Sequence, residues 1–291
     1  MSYGRFRRAG KSSRSYGRKR IGRVRRTGRG YTKVPRFATV GFARNVEKKY
    51  FDKTYQATLH EAMTGNSNGI MNGAMYISMN WQSYAFGTMA SPVSISNDML
   101  KGLETGTTAR TRIGNKVKAQ YLKGAFTFNA ALCAPMDAAG AINKGGQGGE
   151  SMIGGAAAGT QHLRTSYRFM IVKDMQVNST DAQVRWDQVM DTTGLQAGIH
   201  SELNVDNMGR FVVLEDRRFT VDADTPQKTV PFKINSAHIG SVRYNGPSAS
   251  ALTDKGVYVV FAAFVFGYDS IAANITLSSP VGHSRLCFTD D

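Results

Sequence analysis

The residue types that most often perform catalysis or bind metals are scattered in this sequence. The five histidines stand singly: His60, His162, His200, His238 and His283. No two of them fall within one helical turn, and neither Cys133 nor Cys287 neighbours one. Hydrolase, metalloprotease and phosphate-binding loop motifs are absent as well. Because catalytic and metal sites need such groups close together, the sequence predicts no enzyme, no cofactor and no metal site.

One pair of carboxylates, Asp222 and Asp224, has a spacing that could serve a divalent cation. The pair follows a predicted strand. Aspartate is, however, a standard turn residue, and the ligand spacing of a calcium-binding loop does not continue beyond it. An ordinary turn is therefore the favoured interpretation.

Basic residues, in contrast, are concentrated at the beginning of the chain. Positions 1–46 contain 12 Arg and 3 Lys, and the first carboxylate is Glu47. The 37 basic residues of the chain minus these 15 leave 22 beyond position 46, against 21 acidic residues. A nearly neutral protein thus carries a polycationic N-terminal segment, which predicts a polyanionic partner.

Residues 1–44 are predicted to be a disordered arm, because a segment this polar cannot bury enough apolar area to fold. Its aromatic residues, Tyr3, Phe6, Tyr16 and Tyr31, are interleaved with arginines. Arginine contacts phosphates without reading sequence, and aromatic rings stack on unpaired bases, which suits single strands. The residues predicted to bind nucleic acid are Arg5, Arg7, Arg8, Lys11, Arg14, Arg18, Lys19, Arg20, Arg23, Arg25, Arg26, Arg29, Lys33 and Arg36.

A short part of this arm also has the composition of a nuclear localisation signal. Its basic residues are Arg18, Lys19, Arg20, Arg23, Arg25 and Arg26. Host nuclear import machinery is therefore a predicted partner. Membrane insertion is not predicted, because the longest apolar run, Val257–Tyr268, is shorter than the roughly 18 residues that a span requires.

Residues 45–291, called the β-domain below, show the periodicity of strands. Apolar and polar residues alternate over Lys49–Leu59, which predicts a strand with one wet face. Arg112–Ala130 is a long strand region whose alternation slips near Tyr121, which indicates a bulge. Val257–Phe266 is apolar at both parities and is typical of a central strand.

Two other segments lack clear strand periodicity. Residues 60–110 are expected to be mostly irregular, with a short helix capped by Ser96 that carries Met99 and Leu103. Residues 138–160, rich in Gly and Ala, are predicted to form an exposed loop. Seven or eight strands, few helices and long connections favour an all-β antiparallel sandwich or barrel, of which a single eight-stranded jelly roll is the commonest form with long loops at one end.

The order of these features resembles the capsid proteins of small eukaryotic viruses with circular single-stranded DNA genomes that encode a replication initiator (circovirus-like and related groups). The likeness rests on short motifs in a common order. These are the arm at 5–36, Lys48–Asp52, Arg112–Val117, Arg168–Gln176, Arg210–Phe219 and Arg285–Asp290. The motifs span nearly the whole chain, and the loop at 138–160 is a departure.

The resemblance implies a jelly-roll shell protein that assembles with copies of itself into a sixty-copy, T=1 icosahedral virion. The arm would then bind the packaged single-stranded DNA on the inside, and the protein would be in the host nucleus during assembly. Two alternatives stay open: the coat protein of a small RNA virus, and a cellular Arg/Gly-rich nucleic-acid-binding protein with a β-sandwich domain. The arm alone does not separate DNA from RNA, because it contacts phosphates.

Overall fold

The computed structural model describes residues 47–64, 73–85, 96–133, 161–177, 183–192, 199–266 and 275–290. The predicted arm, the boundary at residues 44 and 45, and the predicted loop at 138–160 lie outside the described residues. The fold below belongs to the unit Lys48–Asp291.

Strands dominate the described residues, and the helices are single turns. The strands are β1 (Lys49–Thr64), β2 (Gly73–Ala85), β3 (Lys116–Asn129), β4 (Ala131–Cys133), β5 (Gln161–Leu163), β6 (Thr165–Asp174), β7 (Phe211–Val221), β8 (Gln227–Asn235), β9 (Ser241–Asn245), β10 (Leu252–Thr253), β11 (Gly256–Phe266), β12 (Ile275–Thr276) and β13 (Val281–Asp290). The helices are α1 (Trp186–Val189) and α2 (Ser236–Ile239), with a 3-10 turn at Val205–Asn207.

Ten of the strands form one antiparallel sheet. Its order is β10-β9-β3-β13-β1-β2-β11-β6-β7, and β8 pairs with β3 beyond β9, while β12, β4 and β5 form a small separate sheet. The first half-sheet, β8/β9-β3-β13-β1, is joined to the second half-sheet, β2-β11-β6-β7, by the pairing of β1 with β2. The predicted all-β antiparallel architecture is confirmed.

The sheet curls so that the two half-sheets face each other across an aromatic core. Phe126 of β3 contacts Phe169 of β6 with ring centroids 5.4 Å apart, and Phe128 of β3 meets Phe261 of β11 at 5.3 Å. Trp81 of β2 meets Phe126 edge to face at 6.2 Å. None of these strand pairs is hydrogen-bonded in the sheet, so the contacts cross from one half-sheet to the other.

The second half-sheet is buried on its outer side as well. Trp186 and Val189 of α1 pack there with Met170 of β6 and Val260 of β11. The inner side of β11 faces the aromatic core, so all residues from Val257 to Ala263 are buried. This double cover explains why β11 is apolar at both parities, and the predicted central strand is confirmed.

The predicted phase slip in β3 is a β-bulge at Gln120. Cys287 of β13 pairs with Tyr121 and Phe288 pairs with Ala119, which leaves Gln120 without a partner position. Because the extra residue reverses the alternation, Val117 and Ala119 before the bulge and Leu122 after it all face the core.

The expectation that residues 60–110 are mostly irregular is wrong, because β1 continues to Thr64 and β2 occupies Gly73–Ala85. The pairing of β2 with β1 skips Met79. That irregularity turns Met75 and Ile77 towards the α1 side and Trp81 towards the aromatic core. The alternation of the two sides is therefore interrupted in the middle of β2, a strand rich in Ser, Asn and Gln.

The expected helix after Ser96 is wrong too. Met99 and Leu103 are buried as expected, but Met99 lies in a bend and Leu103 lies in irregular backbone just after a turn. The Asp98 carboxylate accepts the backbone N–H groups of Leu100 at 2.9 Å and Val257 at 3.1 Å. Side-chain bonds of this kind offer the backbone an alternative to helical hydrogen bonding.

Candidate nucleic-acid interface

The 14 arm residues predicted to bind nucleic acid, from Arg5 to Arg36, lie outside the described residues, as does the predicted nuclear localisation signal within them. Their roles stay predictions. The described residues nevertheless contain a second concentration of basic side chains, on the outer side of the first half-sheet.

One row of residues crosses four strands of this outer side. Lys233 of β8 is directly opposite Lys123 of β3, which is opposite Arg285 of β13, which is opposite Asp52 of β1. Residues in one such row point to the same side of a sheet. Leu122, Phe232 and Ile234 next to the row are buried in the core, so the row itself faces outwards.

A second basic group lies on the same side, before the bulge. Lys116 of β3 is directly opposite Arg243 of β9, and Lys118 is two residues further along β3. We name the outer side of the first half-sheet the basic face. Its basic residues are Lys116, Lys118, Lys123, Lys233, Arg243 and Arg285.

Asp52 is the carboxylate in the row that contains Lys123 and Lys233. It is held by Arg285 in a bidentate pair, with Nε–Oδ1 and Nη2–Oδ2 distances of 2.6 and 2.8 Å. This hydrogen bonding raises the pKa of Arg285. In the part of the chain that the structure describes, neither Lys123 nor Lys233 pairs with a carboxylate. The row therefore carries two uncompensated positive charges directly opposite each other.

Two tyrosines lie next to this row on the same face. Tyr50 of β1 and Tyr121 of β3 flank Cys287 of β13 in the neighbouring row. The Arg285 guanidinium lies 5.8 Å from the centre of the Tyr50 ring, and the Lys123 ammonium lies 5.6 Å from that of Tyr121. Tyr50 is 38% exposed, so its ring is accessible to a ligand.

Two grooves run along the basic face and meet at His283. The first, of about 480 Å³, is lined by the charged row together with Pro231 and Ser284. The second, of about 450 Å³, has small side chains in its lining, among them Thr54, Ala125 and Thr127. The face therefore offers a trough with charge at one end and little steric obstruction along its floor.

Under the face, Lys53 of β1 is a buried cation. Its ammonium donates hydrogen bonds to the backbone carbonyls of Asp98 and Lys101, both at 2.8 Å. Burial lowers the pKa of Lys53 to about 8, and burial also raises the pKa of Asp98. The Lys53 side chain therefore fixes the turn after Ser96 to the inner side of β1.

The lowered pKa of Lys53 predicts a pH dependence of stability. Its value in the folded chain, about 8, is below the ordinary 10.5. Between these values the unfolded chain binds more protons, so this residue's contribution to stability rises with pH. Relative to the Lys53→Met variant, the wild type should gain about 2 kcal/mol of unfolding free energy from pH 7.5 to 9.5.

Denaturant unfolding of both proteins at several pH values measures this gain. The exposed Lys48→Met variant is the matched control, and its pH curve should run parallel to that of the wild type. A constant difference between the wild type and Lys53→Met across this range would contradict the expectation.

Arg112, in the motif that precedes β3, is fully buried and connects three loops. Its guanidinium donates to the carbonyls of Leu103 at 3.0 Å, Gly114 at 2.7 Å and Gly246. It also lies over the Tyr244 ring, 4.6 Å from the ring centre. The arginine of the motif Arg112–Val117 therefore has a structural role at this end of the β-domain.

Reciprocal ion pairs join the motifs Arg168–Gln176 and Arg210–Phe219. Arg168 of β6 holds Asp216 of β7 at 2.7 and 3.0 Å, and Arg210 holds Asp174 at 2.7 and 3.0 Å. The antiparallel register of β6 and β7 places each arginine near the acid of the other motif. These residues therefore fix a strand pair and do not form a ligand site.

Asp222 belongs to a turn, as favoured from the sequence: its carboxylate accepts hydrogen bonds from the Thr225 N–H at 3.0 Å and hydroxyl at 3.2 Å. Among the described residues, no group of three or more His, Cys, Asp or Glu could hold a metal ion. A search of the same residues also finds no helix with the length and apolarity to cross a membrane.

The basic face was missed in the sequence because charge was summed over the whole β-domain. Its signal is local: Lys116, Lys118, Lys123 and Lys233 each alternate with inward apolar residues. Comparison of the chain with protein-family models gives no match, and comparison with curated proteins gives no significant match either. The function must therefore be argued from the charge distribution and the fold.

Proposed function

We propose that this chain is a viral capsid protein that assembles into a sixty-copy, T=1 icosahedral shell and packages circular single-stranded DNA through its arm. The observation that carries the proposal is the run of 15 basic residues before the first acid, Glu47. Sixty copies would bring about 900 arm cations into the interior, which would offset much of the phosphate repulsion of a confined genome.

The strand order supports the jelly roll that this proposal requires. Eight strands of nine or more residues follow one another as β1, β2, β3, β6, β7, β8, β11 and β13. Numbered in this order, one half-sheet reads sixth, third, eighth, first, and the other reads second, seventh, fourth, fifth. Two Greek keys folded together produce this arrangement, in which the pairs first–eighth and third–sixth lie in one half-sheet and the pairs second–seventh and fourth–fifth lie in the other.

The same proposal covers the partners and location of the protein. Copies of the chain, the packaged genome and the host nuclear import machinery are the expected partners, and virion and host nucleus are the expected locations. Beyond position 46 the chain has 22 basic and 21 acidic residues, and this near neutrality suits the β-domain to packing against copies of itself.

The test is to purify the full chain and examine it by electron microscopy and sedimentation. Closed particles containing nuclease-protected single-stranded DNA are expected, and sequencing that nucleic acid identifies it. Protein that stays monomeric at all salt and pH conditions would contradict the shell, and particles that protect RNA would favour an RNA-virus coat protein.

A second candidate is a cellular Arg/Gly-rich nucleic-acid-binding protein, and the basic face is the observation that favours it. Such a protein needs basic and aromatic binding residues within its folded domain, and Lys123, Lys233 and Tyr121 have the required types. A monomer that binds nucleic acid without forming particles would support this candidate over the capsid.

A further inference from the structure

We propose that the basic face binds single-stranded nucleic acid directly, as a second site separate from the arm. The site consists of Lys123, Lys233 and Arg285 with the two flanking tyrosines, Tyr50 and Tyr121. This inference rests on the nucleic-acid partner of the proposed function, and it does not depend on assembly of a shell.

The charge arrangement favours an anionic ligand. Lys123 and Lys233 are directly opposite each other on neighbouring strands, a placement that is unfavourable for like charges. Both carboxylate oxygens of Asp52 already accept hydrogen bonds from the Arg285 guanidinium, so Asp52 does not neutralise the lysines. A phosphate between the two ammonium groups would relieve their repulsion and gain charge-assisted hydrogen bonds.

The tyrosines favour a strand with unpaired bases. Tyr50 and Tyr121 stand two strands apart, about 10 Å, on either side of Cys287. Each ring lies beside a cation of the charged row. Rings placed among cations can stack on bases while the cations hold the phosphates. A duplex keeps its base faces stacked inside, so it could use the cations and not the rings.

The grooves give such a strand a path. From the row of Asp52 to the row of Gln56 is four residues, about 13 Å along the sheet. The two grooves cover this distance and share His283. The small side chains Thr54, Ala125 and Thr127 let a nucleic-acid backbone approach the sheet beyond the charged row.

Ultraviolet crosslinking of the full chain to a short oligodeoxythymidylate tests the site directly. Mass spectrometry of the digested adducts should find crosslinks in the peptides that contain Tyr50 and Tyr121, in addition to those of the arm. A duplex of the same length should give arm crosslinks and should not label these tyrosines.

Salt dependence of binding gives an independent measurement. The Lys123→Gln/Lys233→Gln double variant should lower the magnitude of the slope of log K against log salt by about 0.7, because the one phosphate held between the two ammonium groups is no longer neutralised. Lys228→Gln is the matched control: Lys228 is on β8 too, but its row contains the core residue Phe128, and its ammonium lies over Phe219. Its slope should equal that of the wild type.

Crosslinks confined to residues 1–44, with an unchanged slope in the double variant, would overturn this proposal. Equal labelling of the tyrosines by duplex would overturn its restriction to single strands. Particle formation is scored separately by sedimentation, so failure of the shell and failure of this site give different results: a monomer labelled at Tyr121 rejects only the shell.

Discussion

Deletion of residues 1–36 should leave the β-domain folded and should reduce the nucleic-acid content of purified particles several-fold. The deletion removes 14 of the 37 basic residues of the chain. Each cation that stops neutralising a phosphate of a single strand removes about 0.7 from the salt dependence of binding, so affinity at physiological salt should fall steeply. The ratio of absorbance at 260 and 280 nm measures the nucleic acid directly.

The β-domain should tolerate this deletion because its described core is built from residues after Lys48. The midpoint of thermal unfolding should therefore stay near that of the full chain. A full-length variant in which every arm arginine is replaced by lysine is the matched control, because it keeps the charge and should keep most of the nucleic acid. Unchanged nucleic-acid content after the deletion would refute the role of the arm.

Replacement of Arg112 by lysine should lower the free energy of unfolding by about 3 kcal/mol, although it preserves the charge. The planar guanidinium serves carbonyls in three loops and the Asn115 side chain, at 3.0 Å, in one fixed geometry. A lysine ammonium is a single point on a flexible stem and cannot reach these acceptors together. The buried carbonyl of Leu103 or the partly buried carbonyls of Gly114 and Gly246 would then lack a donor, at about 1–3 kcal/mol for each buried group left without one.

Denaturant unfolding of Arg112→Lys measures this loss. Arg110→Lys is the control two residues away: its side chain is exposed, and its substitution should change stability by less than about 0.5 kcal/mol. A fall in stability of less than about 1 kcal/mol at Arg112 would show that the loops hold their positions without the guanidinium.

Strands whose environment is uniform were predictable from the sequence. β11 is covered on both sides and β8 on one side, so each strand keeps the same pattern of apolar and polar residues along its whole length. The bulge at Gln120 could also be predicted, because the apolar residues before it and after it have opposite parity. β2 was missed for a physical reason: its irregularity at Met79 makes one part of the strand pack in the aromatic core and the other part pack on the α1 side.

The candidate site could be predicted only in part. The arm is visible as composition, and its disorder and its non-specific phosphate binding stay predictions from residue types alone. The basic face depends on cross-strand register, which brings Lys123 next to a residue far along the chain, Lys233. Likewise, the reciprocal partners of Arg168 and Arg210 follow from the pairing of β6 with β7 and not from either motif by itself.

The extra residue at position 120 determines which side of the sheet each earlier residue of β3 faces. Loss of Gln120 alone would turn the segment before it inside out, so that Lys116 and Lys118 would meet the core and Val117 and Ala119 would meet water. Hydrophobic burial and surface charge are thus tied to one insertion. Homologues that lack a residue at this position should carry a compensating insertion nearby. Among homologues, the type of residue at position 120 should vary more than whether a residue is present there.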